Sequence, residues 1–547
     1  MHSSGSTGSR ARLLSPDLWL ALVLAAVCLW LLSLPVFPSQ DGPMHRYYVH
    51  VLDSLLQHRS TYAAYQVRHP FPPYASHYGA LLVLFHVLPY EWAEKVFACV
   101  VVLALGWGLR RSAQEAGPAG RWWALLSAPV LLGWPLMMGF FNFVLGVGLL
   151  LLCTAFWQSM GRSGQKALPA FVATLLLLMV THPIPLLLLI VLCGLDLGLS
   201  LLRRAAAAPQ GWWRRHRVQA AALLLTVLAA LFPAMAVDRS QTSSTVQLIR
   251  FHPEFLRTSL LLAGVSPYNS RSLHPSINGY RLCLYALFAG AMWVGGKAAL
   301  RAWRARQVNF ATTVFAATVL LALALPFLPN LVNGSDYFST RLVFLLWPAA
   351  IVAAGAAEAP GPRARGLFVA AAIACCALTL LAAQLFLRPA ALQVHAAEGL
   401  SLPAGQRGAL LLGADLDDYE RFHAQLAFNP LKWAAILPFV RQDSVALDTP
   451  WLDLKIVPIA AAPGSPELGS DISLTRSGRT GAALVPGHSL PGDREAQLVQ
   501  ASGFMILAAT PPELAQGLHG QLSADEAAKY TCGAPQDWYL LCTSGGR

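Results

Sequence analysis

Asp41 and His45 lie in the stretch SQDGPMHRYYVH, and a helix that begins at Pro43 would direct both side chains into one pocket. There the carboxylate can act as a general base or a metal ligand, with the imidazole as its partner. The same QDGP segment has a plainer reading: Asp41 caps the helix and Pro43 occupies its first turn. The two readings are compatible. His182-Pro183 follows a long apolar run, and its imidazole is either hydrogen-bonded packing or a ligand. Arg341 in YFSTRLVFLLWP stands at the mouth of an apolar run, where it serves either as an interface anchor or as a phosphate ligand. Glu91 and Glu94 beside Lys95 look like the start of an interfacial helix. Asp53 looks solvated or capping.

The elements that must position these residues belong to a membrane protein. The chain has 547 residues, is 56% hydrophobic and 12% charged, and has a mean hydropathy of +0.51, which excludes a soluble globular protein. Up to residue 387 there are 28 basic and 11 acidic residues, and beyond it 11 and 16. An apolar, basic body is thus followed by a mildly acidic tail, and membrane orientation accounts for the basic excess. No nucleic-acid module is present. The apolar runs predict about eleven transmembrane helices in residues 18–387, after a cytoplasmic N-terminus at 1–17. A large first outer loop covers 38–92, with a short non-crossing helix at Tyr78 to Leu88, and a second outer loop covers 238–281. One of the spans is predicted at Trp122 to Met138.

Sorted by side, Asp17, Glu115 and Glu358 are inner, while Asp196 sits within a span near Arg203, where a structural pair is expected. Asp41 is then one of seven outer acids, the others being Asp53, Glu91, Glu94, Asp238, Glu254 and Asp336. Of the body's eleven histidines, nine fall at the outer face, His45, His50, His77 and His182 among them. That clustering places the chemistry there. GFFNFVLG reads as close helix packing through its glycines, and Asn333-Gly334-Ser335 matches a glycosylation sequon.

Residues 388–547 read as a small outer-side α/β domain, with strands at ALLLGAD, SVALDTPW, FMILAAT and DWYLLCT and helical periodicity at Asp417 to Phe439 and Pro512 to Tyr530. Cys532 and Cys542 could form a disulfide on an oxidising side of the membrane; in a reducing compartment they would be free thiols.

A first span, a large loop with the early acid Asp41, interfacial helices, about eleven spans, the late arginine of YFSTRLVFLLWP and an outer soluble domain together resemble the GT-C superfamily of membrane glycosyltransferases. The chain also resembles bacterial membrane proteins with a DGPxH first loop, here DGPMH. The resemblance implies a GT-C-like fold in a bacterial inner membrane and a polyprenyl-phosphate-linked sugar as donor. The acceptor would be a glycan, a lipid or a protein. It implies inverting transfer, in which Asp41 takes the acceptor proton and Arg341, or another outer basic residue, stabilises the departing lipid phosphate. His45 would assist Asp41, and His77, His182 and Arg46 would contact substrate. The family's paired-acid motif is missing from the first loop, which holds only Asp41 with His45. A divalent metal on those two residues is left open. A transporter or flippase, and a scaffold with an outer binding domain, stand as the alternatives.

Overall fold

The computed structural model describes residues 15–67, 74–204, 209–236, 266–269, 272–305, 307, 309–328, 338–403, 406–412, 426–446, 459–461, 500, 502–520, 522 and 524–544. The sequon at 333–335, Asp238, Glu254, Asp336 and the body of the second outer loop lie outside them. The chain divides into two compact units. The first comprises Met1–Ser33, Ala98–Leu136 and Phe140–Ala383, and the second Leu34–Phe97, Met137–Gly139 and Gln384–Arg547.

The principal helices among the described residues are α1 Pro16–Ser33, α2 Gly42–Leu56, α3 Ala75–Val87, α4 Tyr90–Ala116, α5 Phe141–Ser163, α6 Leu168–Met179, α7 Pro183–Arg204, α8 Pro209–Ala236, α9 Pro275–Arg304, α10 Phe310–Ala324, α11 Phe338–Ala354 and α12 Pro362–Glu398. Seven helical segments are long and apolar enough to cross a membrane, and α3, α11 and segments in α6 and α8 are shorter apolar helices. The chain is an integral membrane protein.

In the first unit, α9 and α10 pack on α11, while α5, α6, α7 and α8 pack against one another. The run Trp122 to Met138 differs from expectation. It is not one helix but a series of short pieces, Gly120–Ala124, Leu125–Ser127, Ala128–Leu131 and Trp134–Met137. Pro129 and Pro135 each lack an amide donor, and Gly133 lies between them. The broken backbone is tolerated because nearly all of it is buried in protein. Gly146 permits the close contact that GFFNFVLG suggests, since a Cβ there would lie 2.9 Å from Pro185 Cγ and 3.2 Å from His182 Cβ. Asp196 accepts hydrogen bonds from Trp157 Nε1 at 2.9 Å and Thr313 Oγ1 at 3.2 Å, so its carboxylate is satisfied within the helix bundle.

In the second unit, a mixed five-stranded sheet runs in the order β3-β2-β5-β7-β6, formed by β2 Arg407–Leu412, β3 Val445–Ala446, β5 Phe504–Ala508, β6 Tyr530–Cys532 and β7 Tyr539–Ser544. β2 is parallel to β3 and β5, and β7 is antiparallel to β5 and β6. All five residues of β5 are buried, as the continuous apolar run FMILA requires at the centre of a sheet. Cys532 and Cys542 are directly opposed across β6 and β7 and joined by a disulfide. The periodicity over Pro512 to Tyr530 resolves into short turns, Pro511–Gln516, Gly517–Gly520 and Ala524–Ala527, interrupted at Gly517 with φ +59°.

A strand from the first loop, β1 Tyr65–Val67, pairs antiparallel with β4 Ile459–Ala461 of the tail. The first loop and the tail therefore share one unit, and the expected boundary near 387 falls inside α12.

Candidate functional site

The sequence-predicted residues fall into two groups. Asp41, His45, Arg46 and His77 belong to the second unit; His182 and Arg341 belong to the first.

α2 carries the first group. It ends where His58 adopts φ +57° and the amides of His58 and Arg59 return to the carbonyls of Leu55 and Ser54, each within 3.0 Å. At its start, Asp41 is the N-cap residue and Pro43 lies in the first turn, as QDGP suggests, but the Asp41 side chain makes no capping hydrogen bond. The Gly42 amide donates instead to Ser39 Oγ at 3.1 Å. The turn Met137–Gly139 lies against this segment: the Gln40 and Asp41 amides donate to the Met137 and Met138 carbonyls at 3.0 and 3.1 Å. Gly139 has φ +88°, and a Cβ there would stand 3.0 Å from the Gly42 nitrogen and 3.1 Å from Asp41 Cβ.

Asp41 and His45 lie four residues apart on one face of the first turns. His45 Nδ1 is 3.1 Å from the Tyr78 hydroxyl, and its ring meets His77 edge-on with centroids 4.5 Å apart. His77 is fully buried and stacks on Tyr78 and Phe97 at 5.2 and 5.1 Å. Burial pushes the His45 imidazolium down to about 3, against a weaker opposing pull from a hydrogen bond to the Gly139 backbone. Burial and then the neighbouring His45 lower His77 as well. Tyr78 is raised by burial first, then by Tyr74 and Asp41. Both imidazoles are neutral near pH 7, so they can exchange hydrogen bonds but carry no charge to an anion.

Arg46 faces inward. Its Nε lies 2.9 Å from Glu94 and its Nη1 3.2 Å from Glu398, with all three side chains essentially excluded from water. Glu398 is also 3.0 Å from His395 Nδ1. Glu94 lies in the first turns of α4, as the sequence suggests, and there it is a buried counter-ion to Arg46. Its neighbour Lys95 is buried too, donating to the Leu34 carbonyl at 2.8 Å and lying 3.9 Å from the Trp92 ring centroid. Asp53 accepts from Gln57 Nε2 at 2.9 Å, as expected of a residue near water. Among the described residues, no group of three His, Cys, Asp or Glu side chains is arranged to hold a metal ion. The donors around Asp41 and His45 do not fit one.

A further cluster escaped the sequence reading. His50 Nε2 is 3.1 Å from both Tyr62 Oη and Asp443 Oδ1, and Asp443 is held at φ +54°. The partners come from α2, the following loop and the tail, so no local spacing announces them.

In the first unit, His182 occupies the turn between α6 and α7 and is buried; the Ile184 amide donates to its Nδ1 at 3.2 Å. That bond places the proton of the neutral ring on Nε2. Burial and then the Arg341 charge lower His182 well below the usual range. Its ring meets Phe143 edge-on at 5.5 Å, and the Arg341 guanidinium lies 4.1 Å from the Phe140 ring centroid. An apolar cavity of about 320 Å³ lies between α5, α7, α10 and α11, lined by residues such as Val147, Leu150, Leu188, Val314, Leu345 and Val352. Phe143, Ile184 and Arg341 each precede a lining residue of their own helix by four positions, so their backbone positions lie about one turn before the lining, towards the N-terminal ends of α5, α7 and α11.

No protein-family model and no curated protein matches this chain. Its fold is similar to that of ArnT from Cupriavidus metallidurans solved bound to undecaprenyl phosphate, with a TM-score of 0.52, 13% identity, and coverage of 99% of this chain and 100% of that one. The apo structure of the same protein also aligns, with a TM-score of 0.37, 14% identity, and coverage of 97% of this chain and 99% of that one. The fold is ArnT-like, with a small C-terminal sheet domain.

Proposed function

We propose that the protein is a membrane glycosyltransferase that moves a sugar from a polyprenyl-phosphate donor to an acceptor at the outer face of the membrane, with inversion at the sugar carbon. One observation carries the reading: Arg341 precedes the cavity-lining Leu345 of α11 by four positions, and His182, in the turn before α7, precedes the lining Leu188 by six. A guanidinium with an imidazole Nε2–H suits an anionic phosphate, and the cavity suits the apolar chain attached to it. The fold supports the same class of ligand, since ArnT was solved with undecaprenyl phosphate bound.

In the transfer, the Asp41 carboxylate takes the proton of the acceptor hydroxyl, and that oxygen attacks the anomeric carbon. The bond from this carbon to the phosphate oxygen breaks. Polyprenyl phosphate leaves with the electron pair, and Arg341 stabilises its charge. His45, neutral because burial holds it at about 3, serves as a hydrogen-bonding partner rather than as a cation. Among the described residues no group of three His, Cys, Asp or Glu side chains could hold a metal ion, and no step is routed through one.

The experiment is binding of undecaprenyl phosphate to the purified full-length protein, followed by native mass spectrometry. The wild type binds, and Arg341→Ala binds about tenfold or more weakly, the loss expected for a charge-assisted hydrogen bond. A wild type that does not bind undecaprenyl phosphate overturns the proposal.

A further inference from the structure

α9 turns one face to the bundle and the other outward. Leu284, Leu287, Ala291, Gly295 and Ala299 recur every three or four residues and are buried. Two contacts set this face alongside α11: the Phe288 and Trp347 ring centroids are 4.9 Å apart, and a Cβ on Gly295 would lie 3.1 Å from Ala353. From Phe288 to Gly295 and from Trp347 to Ala353 is about two turns of each helix, so the two run in the same direction.

The outward row holds Leu282, Tyr285, Trp293, Lys297, Arg301 and Arg304, every one of them exposed. Its character changes once, from apolar and aromatic up to Trp293 to basic from Lys297 onward. Leu282 to Trp293 rises about 16 Å, close to the roughly 15 Å hydrocarbon depth of one leaflet. The row therefore offers one leaflet's depth of apolar surface and then cations. α9 contains no acidic residue. Arg301 Nη1 is met by Glu358 at 3.0 Å. Among the described residues, the side chains of Lys297 and Arg304 make neither an ion pair nor a hydrogen bond. The Lys297 ammonium is turned back over the Trp293 ring, 4.3 Å from its centroid. A tryptophan at the end of an apolar row marks the level where hydrocarbon gives way to headgroups, and a cation held there without a carboxylate attracts an anion.

We propose that the outward face of α9 binds an anionic phospholipid. Its acyl chains lie along Leu282 to Trp293, and its phosphodiester accepts a hydrogen bond from Lys297, with Arg304 adding attraction for the net negative charge. A zwitterionic headgroup brings its own cation to the same place and is disfavoured. This site is separate from Arg341. Lys297 lies two residues beyond Gly295 on α9 and Arg341 twelve before Ala353 on α11, so their backbone positions are about 20 Å apart along the bundle.

The test titrates purified full-length protein with phosphatidylglycerol or phosphatidylcholine of matched chains and reads bound lipid by native mass spectrometry. The wild type prefers phosphatidylglycerol about tenfold or more. Lys297→Gln weakens phosphatidylglycerol binding about fivefold, the factor equivalent to about 1 kcal/mol for one basic residue at an anionic membrane surface, and leaves phosphatidylcholine unchanged. Lys297→Arg, which keeps the charge, keeps the preference. Lys166→Gln, which removes an exposed lysine just beyond α5, changes neither affinity. Equal binding of the two lipids by the wild type overturns the proposal. A loss in Lys166→Gln as large as in Lys297→Gln also overturns it, because the attraction would then be diffuse. So does a preference lost in Arg341→Ala, which would place the anion at the other end of α11.

Discussion

Arg46 and Glu94 form an ion pair of 2.9 Å in which neither side chain reaches water, and Glu398 meets the other side of the guanidinium at 3.2 Å. Removing the cation would leave two buried carboxylates without their counter-ion, and breaking such a pair costs about 3–5 kcal/mol. Arg46→Met is therefore expected to lose its monodisperse peak on size-exclusion chromatography, and no addition of lipid phosphate would restore it. A well-folded Arg46→Met with weakened lipid binding would instead return Arg46 to the substrate.

Asp41→Asn keeps the shape of the side chain and removes the base. Sugar transfer in reconstituted membranes should fall by about 10²–10⁴-fold, the usual contribution of general-base catalysis. The thermal unfolding midpoint should stay close to that of the wild type, because Asp41 makes no capping hydrogen bond. Undiminished transfer would end the assignment.

His45 titrates at about 3 in the folded protein against an ordinary value of 6.5, so the unfolded chain binds this proton first as the solution is acidified. Stability from this group is complete above pH 6.5 and is lost as pH falls from there towards 3, at up to about 1.4 kcal/mol per pH unit. His50, His77 and His182 are lowered in the same direction and steepen the loss. His45→Gln should show a shallower dependence of its unfolding midpoint between pH 6.5 and 4. An unchanged slope would place His45 in contact with water.

Gly139→Ala puts a methyl group on a backbone with φ +88°, 3.1 Å from Asp41 Cβ. Left-handed backbone costs an alanine about 1–2 kcal/mol, and the crowding pushes on Asp41. A lower unfolding midpoint together with reduced transfer is expected. A loss of stability with full transfer would show that Asp41 tolerates displacement.

Much of this molecule is legible in its sequence. Apolar runs of membrane length, the run FMILA at the sheet centre and the charge contrast between body and tail report local composition, and burial follows composition directly. The pairing of Cys532 with Cys542 is legible as a possibility because the two flank one short segment of the tail, and the structure sets them opposite each other across β6 and β7. Trp122 to Met138 misled because hydropathy counts apolar residues and ignores the missing amides of Pro129 and Pro135.

The side of α2 that does chemistry is decided elsewhere. The sequence by itself determined that Asp41 and His45 share the start of a helix, in a membrane protein whose late arginine suits a phosphate. Only the tertiary structure could show that Ser39 accepts the Gly42 amide and donates to Glu94, that Arg46 is engaged by Glu94 and Glu398, and that α5, α7, α10 and α11 enclose an apolar cavity. The physical reason is separation along the chain. Glu94 lies 55 residues from Ser39, Glu398 lies 352 from Arg46, and no periodicity reaches across such intervals.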